Sequence, residues 1–231
     1  MTIVLDPAEI FLIQRYASLD YFGGMRDHFA ACVRAAEDAL EAFMLRLPRN
    51  YRSLELWRQP DVVWGGSVIP NMRWALDGLN QGYIDVTHGD FDGIGACGNV
   101  STTFASISRD YTADWMLNDF LEVYARESGL AWLMAMNINH TYYCAWEPGI
   151  LTGQYDEISR GALNPPETWP IYRPSNSVRI ESGQEVLISG VYLPAAVGCA
   201  QFLIRGQSAR GAMPPDDPAV SGLRRRVTEP G

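Results

Sequence analysis

The apolar pattern of this chain changes character at Glu147-Pro148-Gly149, and that change limits the folds open to it. Before this point apolar residues recur at intervals of three and four, which is typical of helices with one buried face. After it Pro and Gly are frequent and the apolar runs are short, which favours loops and small strands. The pattern therefore predicts a mainly α protein, a helical bundle of about five helices with a small C-terminal antiparallel β-hairpin module.

Local start and stop signals set the expected helix limits. Asp6-Pro7-Ala8-Glu9 combines a cap, a first-turn proline and a capping-box acid, so a first helix is expected to begin there. We expect Gly23-Gly24 to end it after Phe22. Similar signals predict four more helices, at about residues 25–47, 67–89, 112–127 and 130–146, with Ser67 as a cap and Gly129 as a separator. Residues 90–109 are compatible with either irregular structure or a short helix.

The C-terminal part is expected to fold onto the helices. Residues 147–177 read as a long ordered loop anchored by Tyr155, Trp169 and Tyr172. Four short apolar runs then predict strands joined as consecutive hairpins, at residues 178–180, 185–188, 191–193 and 200–204. These features predict one domain over 1–213, with a helical part at 1–150 and the loop and β module at 151–213. The tail at 214–231 is expected to be disordered, with Arg224-Arg225-Arg226 as a solvated charge run.

Charge and composition exclude several classes of function. All 18 basic residues are Arg, so mechanisms that need a lysine, such as Schiff-base catalysis, are excluded. The 27 acidic residues give a net charge of -9, which argues against nucleic acid or an anionic membrane as a partner. The start of the chain has no basic, apolar signal-peptide pattern and no segment resembles a membrane span, so a cytoplasmic location is predicted.

No recognisable catalytic motif is present. The four cysteines, Cys32, Cys97, Cys144 and Cys199, are widely spaced, so a structural zinc site is not expected. In a reducing compartment they would be buried apolar residues, whereas an oxidising one would allow three pairings. There is no nucleophile-elbow sequence around a serine, and the three histidines are scattered. We therefore predict no enzyme activity, no catalytic residues, no bound metal and no cofactor.

The densest polar cluster is formed by Asp85, His88, Asp90 and Asp92. On a calcium-loop register these last three would occupy positions one, three and five, but the loop needs Asp at position one and Glu at position twelve, where this chain has Asn99. Two other interpretations remain open. The acids cap a turn at the end of the third helix, or they form an acidic surface that docks a partner. Trp74 lies off the apolar stripe of its helix, so it is either a second packing face or an exposed anchor.

Two segments resemble predicted immunity proteins of bacterial polymorphic-toxin and type VI secretion systems. The first runs from Asp61 to Met116 and includes Trp64-Gly65-Gly66-Ser67, Gly82-Tyr83-Ile84 and His88-Gly89-Asp90. The second contains Ser189-Gly190-Val191-Tyr192-Leu193-Pro194, followed by Cys199-Ala200-Gln201-Phe202. The family pattern has Cys-Pro before its glycine step, whereas this chain has Leu187-Ile188.

The resemblance implies a binding function. It predicts that the protein inhibits one cognate toxin, encoded nearby and basic at its contact surface, inside the producing cell. Asp85, His88, Asp90, Asp92 and Trp74 are the predicted partner-binding residues. One alternative is a metal-dependent hydrolase that uses Asp85, His88, Asp90 and Asp92, and another is an adaptor or chaperone for a secreted effector. The oligomeric state stays open.

Overall fold

A computed structural model describes residues 6–194, 199–210 and 224–228. The described part is mainly helical with a small antiparallel sheet, as the sequence predicts. Its α-helices are α1 (Pro7–Tyr16), α2 (Leu19–Met44), α3 (Ile69–Thr87), α4 (Cys97–Asp110), α5 (Asn118–Tyr142) and the short α6 (Glu157–Arg160). Three 3₁₀ turns at Tyr51–Ser53, Leu56–Arg58 and Phe91–Ala96 and a π-helix at Asp61–Val68 connect them. None of the described helices has the length and apolar character needed to cross a bilayer.

The start of α1 follows the prediction, but its end does not. Asp6 Oδ1 accepts a hydrogen bond from the Ala8 amide at 2.9 Å, as a cap should. Glu9 does not close a capping box, because its Oε1 accepts from the amide of Ala200 at 2.7 Å. The helix ends at Tyr16, and Ser18 caps α2 by accepting from the Tyr21 amide.

The predicted break at Gly23-Gly24 is wrong, since α2 runs through both glycines. These two glycines allow neighbouring side chains to pack closely against α2. A Cβ at Gly23 would lie 3.0 Å from the Tyr83 ring, and one at Gly24 would lie 3.1 Å from Met134 Cε. These glycines therefore bring α2 close to side chains from α3 and α5.

Helix α5 is also longer than predicted. It passes through Gly129 without interruption and begins at Asn118, so the two helices expected at 112–127 and 130–146 are one. Packing along α2 holds α5 on both sides of Gly129, and one interior glycine costs a packed helix only about 1 kcal/mol. The ambiguous stretch before it contains α4. Ser67 is not a cap, because the π-helix at Asp61–Val68 continues directly into α3.

Two of the three predicted aromatic anchors, Trp169 and Tyr172, hold the loop after α5 on α1. The Tyr172 hydroxyl donates to Gln14 Oε1 at 2.8 Å. The Trp169 ring meets the Phe11 ring edge-on, with 5.6 Å between centroids. Tyr155 closes a local contact, donating to the Gly161 carbonyl.

The sheet has four strands in the described residues, and its order differs from the prediction. The strands are β1 (Arg173–Ile180), β2 (Gly190–Pro194), β3 (Gln201–Leu203) and β4 (Arg224–Thr228). The pattern predicts consecutive hairpins, but the spatial order is β1-β4-β2-β3, all antiparallel. The predicted run at 185–188 contributes one isolated bridge, from Glu185 to Ser208, instead of a strand.

Strand β4 overturns the prediction of disorder for residues 224–228. It pairs with both β1 and β2, so it lies inside the sheet. Arg224 is fully buried, and its Nε donates to Gln201 Oε1 at 2.6 Å, which corrects the expected solvated charge run. Residues 214–223 and 229–231, the rest of the predicted tail, lie outside the described residues.

Side chains at alternate positions of β2 point to opposite faces of the sheet, and one of these faces packs against the helices. Val191 and Leu193 belong to the main hydrophobic core, which also contains Phe22, Met25 and Ile138 from the helices. Tyr192, between them, points to the other face, where a smaller cluster includes Ile180, Val186 and Leu203. The sheet therefore packs one face against the helical bundle.

Candidate functional site

Three of the five predicted partner-binding residues share the outer face of α3. At about 100° per residue, Trp74, Asp85 and His88 fall within one quarter of the helix circumference. Trp74 is 72% exposed, which identifies it as a surface residue and not a second packing position. A helix rise of about 1.5 Å per residue separates Trp74 from His88 by about 21 Å. The outer face of α3 is therefore long enough to form the centre of a contact surface.

The same face carries more acid and one more apolar side chain. Asp77 is exposed, and Ile84 is 48% exposed. Asp85 Oδ1 accepts from Gln81 Nε2 at 2.8 Å, a bond that leaves its carboxylate negative at the surface. Beside this face, Arg73 is engaged with Glu37 on α2, with 2.6 Å between Nε and Oε1. The face therefore combines apolar anchors with uncompensated negative charge.

The turn after α3 is built by local hydrogen bonds. Gly89 has φ of +85°, a conformation that favours glycine and reverses the chain. His88 Nδ1 lies 2.8 Å from the Ile84 carbonyl oxygen. Asp90 accepts from the Asp92 amide at 3.1 Å and so caps the 3₁₀ turn at Phe91–Ala96. This confirms the turn-capping interpretation for Asp90, whose side chain nevertheless remains exposed.

Asp92 has a different role from the other acids. Its Oδ1 accepts from the Tyr142 hydroxyl at 3.3 Å and from Gln207 Nε2. Gln207 follows β3, so this carboxylate connects the turn after α3 with the end of α5 and with the sheet. Asp92 is therefore a structural link between the turn, α5 and the sheet.

Two glycines place the acidic turn against α3. A Cβ on Gly82 would lie 2.4 Å from the Gly93 carbonyl oxygen, and a Cβ on Gly93 would lie 2.4 Å from that of Gly82. The two backbones therefore cross at a distance that no side chain permits. Sequence reasoning missed this crossing, because the two glycines are separated by eleven positions and by a reversal of the chain.

The acidic residues do not form a metal site. Within residues 6–194, 199–210 and 224–228, no group of three or more His, Cys, Asp or Glu side chains is arranged to hold a metal ion. His88 is held by its own helix and Asp92 by Tyr142 and Gln207. The geometry therefore lends no support to a hydrolase built on these residues.

The cysteines are poorly suited to nucleophilic chemistry. All four are free and buried. Burial raises the pKa of the Cys144 thiol to about 11 and that of Cys97 to about 12, and it raises the pKa of Cys32 and Cys199 still further. A thiol must ionise to attack, and burial disfavours the thiolate at all four positions.

A polar contact between α2 and α5 has the residue types of an acid-base pair. His28 Nδ1 lies 2.7 Å from Glu127 Oε2, while Arg126 donates to the other carboxylate oxygen. The hydrogen bond from His28 is the main cause that lowers the pKa of Glu127, with a further contribution from Arg126. The pair therefore ties α2 to α5.

A second surface, which sequence reasoning did not select, is an aromatic cleft of about 560 Å³. Trp57, Trp64, Tyr111 and Trp115 line it together with Pro60 and Val63, and Arg58, Arg109, Asp110 and Thr112 complete it. Trp57 is 73% exposed at its mouth, whereas Trp64 is buried and donates through Nε1 to the Thr112 carbonyl at 3.0 Å. The abundance of Trp was the available signal, but the segments before α3 and after α4 meet only in the fold.

Comparison of the chain with protein-family models, with curated proteins and with solved structures gave no match.

The outer face of α3 and the aromatic cleft differ in chemistry. The outer face of α3 combines acidic residues with the exposed side chains of Trp74 and Ile84, which suits contact with another protein. The aromatic cleft is concave and has the size of a small-molecule site.

Proposed function

We propose that this protein is an immunity protein, which binds and neutralises a protein toxin made by the same cell. The observation that carries the proposal is the outer face of α3, where Trp74 and Ile84 stand exposed among acidic residues. This surface agrees with the function implied by the resemblance to immunity proteins of polymorphic-toxin and type VI secretion systems.

The physical chemistry of the face suits a basic partner. Tryptophan is enriched among the residues that dominate binding energy at protein interfaces. Asp77, Asp85 and Asp90 add negative charge on a chain whose net charge is -9. Complementary charge accelerates encounter with a basic surface more than it increases affinity. Trp74 and Ile84 would therefore supply the affinity, and the acids the speed and the orientation.

The toxin's site of action follows from the proposal. An inhibitor that works in the cytoplasm protects against a toxin that acts there, such as a nuclease, an NAD-consuming enzyme or a protein-modifying enzyme. Binding on α3 would block the toxin by covering its active site or by holding it in an inactive form.

Co-expression with the product of the adjacent gene tests the proposal. We expect that gene to arrest growth alone and to be harmless together with this protein. Trp74→Ala should weaken the complex by at least about tenfold, the loss typical of a central interface anchor. Leu45→Ala, at an exposed apolar position off this face, is the matched control and should leave affinity unchanged. An adjacent gene that is harmless without this protein would refute the proposal, and a complex that leaves toxicity intact would indicate an adaptor or chaperone instead.

The acids provide a second readout. Asp85→Asn combined with Asp90→Asn should slow association and flatten its dependence on salt, because screening acts on charge pairs across the contact. Asp92→Asn is the comparison variant, since Asp92 is bonded internally. Equal effects of the two changes on the association rate would contradict the assignment of the outer face of α3.

A further inference from the structure

The aromatic cleft has walls suited to a flat ring. The rings of Trp64 and Trp115 meet at 66° with centroids 5.3 Å apart, so they form a corner instead of a filled stack. Trp57 borders the same cleft and is exposed over most of its surface. Aromatic faces bind other planar π-systems through stacking and edge contacts. An exposed tryptophan beside an open corner of this kind leaves space for one more ring.

The backbone beside the cleft is irregular. Val63 and Trp64 line it from the π-helix at Asp61–Val68, which spans eight residues. Such helices are rare, and in proteins they are concentrated at functional sites. This one places the Trp64 ring against both Trp115 and Tyr124. The unusual helix therefore shapes the inner wall of the cleft.

One polar atom in the wall lacks a partner. Trp115 Nε1 is buried and makes no hydrogen bond to the part of the chain that the structure describes, whereas Trp64 Nε1 is satisfied by Thr112. Buried donors without an acceptor are uncommon in folded proteins, and each calls for an explanation such as a bound acceptor. Trp115 Nε1 is therefore an unsatisfied donor on a residue that lines the cleft.

The charges at the cleft favour an anionic group. Arg109 is engaged by Asp110 through two hydrogen bonds, of 2.8 and 2.7 Å, so this pair is close to neutral. Arg58 has only a loose contact with Glu55, 3.9 Å from Nη1 to Oε2, and its guanidinium lies 5.6 Å from the Trp57 ring centroid. Arg58 is therefore the cation that is available to a ligand, and it stands next to the ring that would stack on that ligand.

We propose that this cleft binds a small planar aromatic molecule that carries a carboxylate or a phosphate group. The ring lies between Trp57 and the corner formed by Trp64 and Trp115, and the anionic group pairs with Arg58. This site is separate from the outer face of α3, and the proposal does not depend on the identity of the toxin.

Calorimetric titration with matched charged and neutral probes tests the proposal. AMP is paired with adenosine, and indole-3-acetate with indole-3-acetamide, so the two pairs distinguish a nucleotide from an aromatic carboxylate as the source of the chemistry. The charged member of at least one pair should bind about tenfold more tightly than its neutral form, the effect expected of one charge-assisted hydrogen bond. Neutral probes that bind as well as charged ones, or four probes without heat at millimolar concentration, would overturn the proposal.

Variants locate the site. Arg58→Gln should abolish the preference for the charged probe while leaving the neutral one unaffected, and Trp57→Ala should weaken both by about tenfold, the effect of losing one stacking platform. Arg46→Gln, at an exposed arginine outside the cleft, is the control and should change neither. In two-dimensional NMR of the indole groups the Trp57 and Trp115 peaks should shift on binding while the Trp74 peak stays in place. An equal shift of Trp74 would indicate unspecific stacking and contradict the assignment.

Discussion

The acidic turn after α3 and the arginine run of β4 are two short runs of like charge with opposite fates. In the turn Asp90 caps a 3₁₀ helix and remains exposed, while in β4 Arg224 is enclosed by the sheet. The difference comes from the neighbours. Arg224 meets the side chains of Gln201 and Ser182 and the carbonyl of Arg210, whereas Asp90 finds only an amide two residues away. The density of charge in a sequence therefore does not determine exposure, whereas hydrogen-bond partners from distant segments do.

The sharpest test of this contrast is Arg224→Met. The change keeps an unbranched side chain but removes the buried hydrogen bonds that Arg224 donates to the Gln201 and Arg210 oxygens. We expect a loss of about 3 kcal/mol in the free energy of unfolding, measured by urea denaturation. Arg225→Met on the same strand is the matched control, because no hydrogen bond of its Nε is found among the described residues. Equal losses in the two variants would show that Arg224 is no more important than its neighbour.

The acidic turn depends on its glycine crossing more than on its charges. Gly93→Ala would force a Cβ against the Gly82 carbonyl, and the backbones would have to separate. We expect a loss of about 2 kcal/mol, within the range for overpacking. Gly98→Ala in α4, where a Cβ meets nothing within 4 Å, should instead add about 0.5 kcal/mol through helix propensity. Thermal unfolding of the two variants compares them directly, and the idea fails if both shift in the same direction.

Within the turn the two acids should differ in what they stabilise. Asp90→Ala and Asp92→Ala should each cost about 1 kcal/mol, one through a lost cap and the other through lost side-chain hydrogen bonds. Hydrogen exchange separates them. Loss of Asp92 should accelerate exchange near Gln207 in the sheet, and loss of Asp90 should act only within the turn. Unchanged exchange around residue 207 in Asp92→Ala would remove the proposed link.

A smaller effect is expected at Glu9, a half-buried acid whose carboxylate bonds the Ala200 amide. Burial, the largest cause, raises the pKa of Glu9, although the Ala200 amide and the Cys199 thiol oppose it. A carboxyl with a raised folded-state pKa stabilises the fold below its unfolded pKa, near 4.5, and loses that contribution as pH rises through the folded value. The stability of the native protein relative to Glu9→Gln should therefore fall between acidic and neutral pH. Denaturation series at several pH values measure this difference, and one that does not change with pH would contradict it.

Local chemistry made part of this fold predictable. Asp6 caps α1 because an aspartate before a first-turn proline can satisfy the free amides nearby, and that signal is contained in four residues. The aromatic anchors Trp169 and Tyr172 and the strands containing Val191 and Phe202 were predictable for the same reason. Apolar side chains in a polar loop, or at alternate positions of a strand, indicate that this side of the segment packs against the rest of the protein.

The predictions that the structure corrects share one cause, because each depends on a contact between segments that are distant in the sequence. Gly23 reads as a helix stop, but Tyr83 explains it as a packing position. The arginine run of β4 reads as solvated, but Arg224 is bonded to Gln201, and β1 and β2 flank the strand. Of the predicted partner-binding residues, Trp74, Asp85 and His88 share one face because helix periodicity is local. Asp92 does not share this face, and its carboxylate accepts a hydrogen bond from Gln207. The aromatic cleft joins residues about fifty positions apart, so no local pattern indicates it.

The central position of β4 has a consequence for synthesis. Strands β1, β2 and β3 leave the ribosome before residues 224–228 do, and until then β1 has no neighbour and β2 pairs only with β3. A nascent chain at that stage presents two unpaired strand edges, which are prone to pair with other chains. The sheet is therefore completed in a late step. A chain that lacked residues 224–228 would carry an incomplete sheet, with unpaired strand edges, beside the helical bundle.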